Sequence, residues 1–193
     1  DLSAPLAEDA FDTVSDLVAD RGMVVFPRQH LDADAHLALA TRVGTPAVSP
    51  LRRLLGSDRA MSTIEDTAER PPAQFDWHTD ESWTATPPSL GLLSAVVIPP
   101  VGGDTIWASG TAAFDRLPGA LRRLATELEV VHHMGDAYLR TVVAHHGRDV
   151  ADALEAAHPP IAHPLVRVHE RTGRPALWLS PLYQQRIVGL DAA

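Results

Sequence analysis

Residues 89–98 are almost wholly apolar and run into Pro99-Pro100-Val101-Gly102-Gly103, after which Thr105-Ile106-Trp107 begins a second extended stretch. A short apolar run bounded by Pro and Gly reads as a buried strand, a turn and the next strand. The same punctuation recurs elsewhere. Residues 23–26 form a short β-rich run stopped by Pro27, 61–64 a candidate strand, and 129–133 another extended piece. Residues 165–169 and 175–179 flank a polar turn containing Gly173, the pattern of a β-hairpin. Between these lie helical patterns. Residues 7–19 place Phe11, Val14, Leu17 and Val18 on one face, and 32–43 start on Asp32 as N-cap and close at Gly44. Ser109 caps a short helix to Phe114, Pro118 opens another through Leu121, Leu124 and Leu128, and 148–157 is helical. Strands with only occasional helices lack the regular alternation of a doubly wound sheet. They predict a mainly β domain with flanking helices: an antiparallel double sheet of jelly-roll or cupin type.

At 193 residues and 45 % hydrophobic, the chain suits one domain with a sizeable core. Its most apolar stretch, 90–100, is broken by Gly91 and ended by two prolines, so no membrane span is expected. The chain opens with Asp1 rather than Met; no signal peptide is expected, any leader is expected to have been removed or left out, and the expected setting is the cytoplasm. The absence of Cys excludes disulfides, thiolate nucleophiles and Cys-based metal clusters, leaving His and carboxylates for Fe(II), Mn(II) or Zn(II). A net charge of −9 argues against a sequence-independent grip on nucleic acid, while leaving room for a small anionic substrate.

Trp77-His78-Thr79-Asp80 carries the chemistry. On an extended segment, residues two apart project to the same face, so His78 and Asp80 supply two of the three ligands of a two-His-one-carboxylate facial triad. The spacing alone is weak: with ten His, about one His-x-Asp pair arises by chance, and His30-x-Asp32 is a second. There Asp32 is a helix cap and His30 a loop residue. His132 and His133 are adjacent on a strand and face opposite ways, so they do not chelate together. His145 and His146 precede Gly147 in a polar loop. Gly102-Gly103 is a turn without the Lys and helix of a phosphate loop, and Trp83, Trp107 and Trp178 read as core or pocket walls.

Three motifs stand in order: Trp77 to Asp80, then Gly102-Gly103-Asp104-Thr105-Ile106-Trp107, then His163-Pro164-Leu165-Val166-Arg167-Val168-His169 with Thr172-Gly173-Arg174. Together they resemble the taurine dioxygenase family of Fe(II)/2-oxoglutarate-dependent oxygenases, over nearly the whole chain. The resemblance implies that His78 and Asp80 ligate iron and that Thr105 donates its hydroxyl to the distal carboxylate of 2-oxoglutarate. It places Gln74, Ala137, Tyr138 and Tyr183 in the substrate pocket, and gives His163 and His169 local hydrogen bonding in the hairpin. Gln74 stands where taurine-specific members have Asn, and Ser49 where they have a sulfonate-gripping His; Arg52 and Arg53 are candidates for the lost anion contact. The implied reaction hydroxylates a small organic acid, such as a sulfonate or alkyl sulfate, with release of succinate and CO2. The implied partners are that substrate and O2, in a homo-oligomer.

Members of this family continue past the equivalent of Arg186-Ile187 through the distal His ligand and an Arg for 2-oxoglutarate. Residues 1–193 are therefore expected to be a single dioxygenase domain lacking that C-terminal part, and inactive as a separate piece. Two alternatives are a metal-dependent hydrolase or isomerase on a cupin-like barrel, and a degenerate, non-catalytic binding domain.

Overall fold

Local signals set most of the helices. In the computed structural model, residues 2, 4, 6–67 and 77–190 are described. Helix α1 (Glu8–Arg21) carries Glu8 and Asp9 in its first turn and Arg21 in its last, complementing the helix dipole, and Gly22 closes it in the left-handed region at φ 79°. Helix α2 (Ala33–Val43) is capped by Asp32, whose carboxylate accepts from the Ala35 N–H at 2.8 Å. The two helices are tied by Arg42, which lies 4.3 Å over the Phe11 ring and 2.8 Å from the Glu8 carboxylate. The one-turn helix α3 (Pro50–Leu54) begins on Ser49, whose Oγ accepts from the Arg52 N–H. Ser49 thus serves as a cap.

After an irregular stretch come α4 (Gly110–Asp115), α5 (Gly119–Ala125), β1 (Glu129–His132), α6 (Gly135–His146) and α7 (Arg148–Ala157). Strands β2 (Ile161–Pro164), β3 (Val166–Val168), β4 (Pro175–Leu177) and β5 (Gln184–Ile187) complete the order. One antiparallel sheet runs β2-β1-β5, with Val130 opposite both His163 and Ile187; β3 and β4 form the antiparallel hairpin that the Gly173 turn predicted. His169 closes that turn through its backbone, its N–H donating to Arg174 O and its carbonyl accepting from the Gly173 N–H. The core joins α6 and α7 to the irregular 77–84 segment: Trp83, Met134, Val142, Ala151, Leu154 and Tyr183 are buried together, with Leu51 of α3 and Tyr138 packed against them. Val150, Ala151 and Leu154 lie on the inward stripe of α7, which the sequence pattern had placed at the same bounds.

The described residues form two small antiparallel sheets, of three and two strands, with helices beside them. Residues 23–26, 61–64, 89–98 and 105–107, read as strands, have no ladder partner among the described residues, and helices carry more of the regular structure than strands do. Val96 and Val97 are each 88 % exposed, so the run expected to be buried faces outward. An apolar pattern specifies a strand only where a neighbouring strand satisfies its backbone groups. Helix α6 went unread because Gly135, two adjacent valines and His145-His146 dilute its helical pattern. The His pair assigned to a loop is the last turn of this helix, where His145 Nδ1–H donates to Thr141 O at 2.8 Å.

Gly110 is the tightest joint between α4 and the hairpin. A Cβ there would sit 2.4 Å from the Leu177 carbonyl oxygen. Because the obstacle is backbone, Gly110→Ala is expected to cost about 1–3 kcal/mol, read as a lowered urea midpoint. An unchanged midpoint would show that α4 can shift freely on β4.

Candidate metal centre

His78 and Asp80 lie on an irregular segment rather than the expected strand. Their side chains nonetheless converge, with His78 Nε2 3.2 Å from Asp80 Oδ1. Two donors about 2.1 Å from one ion at a right angle stand about 3 Å apart, so this separation fits adjacent ligand positions. The His78 side chain is 35 % exposed and that of Asp80 72 %, leaving both reachable from solvent. The backbone at Gly91 runs beside this pair, where an added Cβ would lie 4.0 Å from Asp80 Oδ2. Among the described residues no three His, Asp or Glu side chains form a metal cluster, so the pair supplies two donors and no third.

Backbone and side-chain anchors hold the segment. The Thr79 N–H donates to Ser180 Oγ at 3.1 Å, Thr79 Oγ1 donates to Leu179 O at 3.2 Å, and the Leu182 N–H donates to Trp77 O at 3.4 Å. Farther along, His132 Nδ1 lies 3.0 Å from Ser82 Oγ, and His163 Nε2 donates to Thr84 O at 3.0 Å. Ser82, His132 and Ser180 are fully buried. Glu81 sits between the anchors at φ 47°, a left-handed conformation that a residue with a side chain holds only under constraint. Its carboxyl is pushed above the usual carboxylate range by burial and by the neighbouring Asp80 charge.

The two tyrosines expected to line the substrate pocket pack near this segment. Tyr183 is buried, with its ring edge-on to His78 at 6.5 Å, and Tyr138 lies 6.1 Å from Trp83. Burial first, then Tyr183 and Glu81, push the Tyr138 phenol up to about 12, so it stays a neutral donor. Thr105 is exposed on an irregular stretch, not on a strand. Gln74 falls outside the described residues. Trp83 is core as read, whereas Trp107 is 56 % exposed and forms no core wall. His132 is fully buried against Ser82, and His133, just past the end of β1, has Nε2 3.5 Å from the Glu155 carboxylate of α7. Sequence reasoning missed Ser82, Ser180, His132 and His163 as partners of the segment: the motif gave His163 local hydrogen bonding in the hairpin, whereas it lies on β2 and reaches Thr84 O.

Burial, then the adjacent His163, lowers His132 from its ordinary 6.5 to about 4. His158 and His163 are lowered as well, both chiefly by burial. The unfolded chain therefore binds protons near pH 6.5 that the folded chain refuses. Stability from His132 is complete above that pH and is lost as pH falls toward about 4, by up to ~1.4 kcal/mol per unit. The raised Glu81 opposes this in part. Denaturant unfolding at about pH 7 and about pH 5 should show a larger acid loss for the parent than for His132→Asn. Equal losses would sink the assignment.

The profile of the Taurine catabolism dioxygenase TauD, TfdA family matches residues 1–193. The chain belongs to this family. It is 33 % identical over 183 residues to an alpha-ketoglutarate-dependent sulfate ester dioxygenase of Pseudomonas putida, covering 90 % of this chain and 58 % of that protein. It is 30 % identical to an alpha-ketoglutarate-dependent sulfonate dioxygenase of Saccharomyces cerevisiae, covering 96 % of this chain and 46 % of that one. Among solved structures, a taurine dioxygenase from Burkholderia xenovorans superposes with a TM-score of 0.73 at 26 % identity, over 99 % of this chain and 61 % of its own. The chain thus spans less than two thirds of these relatives' lengths.

Proposed function

We propose that this chain is the metal-bearing part of an Fe(II)- and 2-oxoglutarate-dependent dioxygenase that hydroxylates a small organic acid, a sulfonate or an alkyl sulfate. The observation that carries the reading is the 3.2 Å approach of His78 Nε2 and Asp80 Oδ1 beside Tyr183. The named activities of the sulfate ester and sulfonate dioxygenase relatives favour those substrate classes. In this reading residues 1–193 are the larger part of one dioxygenase domain of double-stranded β-helix type. Among the described residues no third His, Asp or Glu completes a metal cluster with the pair.

The chemistry supplied by Fe(II) with 2-oxoglutarate and O2 is oxidative decarboxylation to succinate and CO2 coupled to C–H hydroxylation. The chain's own part is positional. His78 and Asp80 would hold the metal on one side, leaving the other open. Tyr183 and Tyr138 would wall the substrate, with the Tyr138 phenol able to donate to an acidic group. Gln74 joins the same pocket, and Thr105 would donate to the distal carboxylate of 2-oxoglutarate. A homo-oligomer in the cytoplasm belongs to this reading; among the described residues no helix is long and apolar enough to cross a membrane.

The test is succinate release by the native full-length protein with alkyl sulfates, sulfonates and carboxylic acids. Substrate-dependent succinate supports the proposal. No succinate from any of them, with no visible band on anaerobic addition of Fe(II) and 2-oxoglutarate, would favour a binding domain.

A further inference from the structure

Residues 77–84 have no ladder partner among the described residues; besides the turn bonds from Ser82 N–H to Thr79 O and from Thr84 N–H to Glu81 O, their backbone is held by groups distant in the chain. One end is fixed at Ser180. The other meets two imidazoles on the same face of the β2-β1-β5 sheet. His163 stands opposite Val130, and His132 lies two residues on from Val130, so the two rings are diagonal neighbours 5.6 Å apart. The Trp178 ring lies against both, at 4.9 Å from His132 and 4.7 Å from His163, and Arg167 covers Trp178 at 4.5 Å. The rings are therefore fixed before they meet the segment.

A buried imidazole is a poor choice for filling space, because its polar atoms must be satisfied. Here one nitrogen of each reaches the segment, His132 Nδ1 at Ser82 Oγ and His163 Nε2 at Thr84 O, while His132 Nε2 is buried with no partner among the described residues. Between these contacts and Asp80 lies Glu81 in its left-handed conformation. Releasing Ser82 and Thr84 would free Glu81 to relax, and that rotation would turn Asp80 away from His78. We infer that His132 and His163 are positioning residues that hold residues 77–84 in the conformation in which the His78 and Asp80 donors converge. The inference rests on the metal reading proposed above. It adds that two side chains from another part of the fold decide how the donors are presented.

The experiment compares His163→Gln, His163→Asn, His163→Leu, His132→Asn and His132→Leu in the native full-length protein. Gln carries an N–H at about the reach of Nε2, whereas Asn at position 163 falls short; Asn at position 132 replaces Nδ1. Two readouts are taken: Mn(II) affinity by electron paramagnetic resonance with 2-oxoglutarate present, and amide hydrogen exchange across residues 77–84 without metal. The Leu variants and His163→Asn are expected to weaken Mn(II) binding about 10–100-fold, as loss of an outer-shell partner does, and to speed exchange in the segment. His163→Gln and His132→Asn should restore both to within about threefold of the parent. If the Leu variants do not fold, the Gln and Asn pair at position 163 decides alone. Equal affinity and exchange for that pair would overturn the inference. A parent that binds no Mn(II) would defeat the metal reading, and exchange would still report whether the imidazoles hold the segment.

Discussion

His78→Ala and Asp80→Ala should each weaken Mn(II) binding by the native full-length protein more than ~100-fold, the upper range for losing an outer-shell partner. Substrate-dependent succinate release should fall with it. Either change leaves one of the two converging donors, and one donor does not define a face around an ion. Both side chains are solvent-accessible and neither belongs to the core, so the unfolding midpoint should stay within about 0.5 kcal/mol of the parent. Calorimetry for the metal and urea unfolding for the fold separate the two effects. Undiminished Mn(II) affinity in both variants would remove the pair from the metal site.

Trp83→Ala is expected to give the largest loss of stability, about 3–5 kcal/mol. Trp83 is 3 % exposed, packs with Met134, Val142 and Leu154, and meets His158 edge-on at 5.2 Å. Domains of this size are stable by only ~5–15 kcal/mol, so the variant should sit near its unfolding threshold. Because Trp83 lies on the same segment as Asp80, metal affinity should fall as well, and Trp83→Phe should recover part of both. A loss under about 1 kcal/mol in urea titration would mean that the α6–α7 core closes without this ring.

Signals that act over a few residues were legible in the sequence. Asp32 and Ser109 cap the helices they begin, Gly44 closes α2, and the Gly173 turn joins β3 to β4 in register. The His78–Asp80 pair was readable from its spacing and neighbouring motifs, although the strand meant to carry it is an irregular segment. The anchors were not readable. Thr79 meets Ser180 across 101 positions, Thr84 meets His163 across 79, and Ser82 meets His132 across 50. No local periodicity encodes a contact between an irregular segment and a distant sheet. The 89–98 run marks the opposite limit: its residues announce a strand, but only tertiary pairing makes one.

That run also sets how the 193-residue polypeptide should behave in concentrated solution. Ser94-Ala95-Val96-Val97-Ile98 is β-prone, uncharged and free of proline, and Val96, Val97 and Ile98 face outward. Such a stretch is a template onto which a second molecule can add a strand, and it carries no Lys or Pro of its own to repel one. Turbidity on concentrating, relieved by a charge at Val96 or Val97, would be the colloidal signature of this stretch.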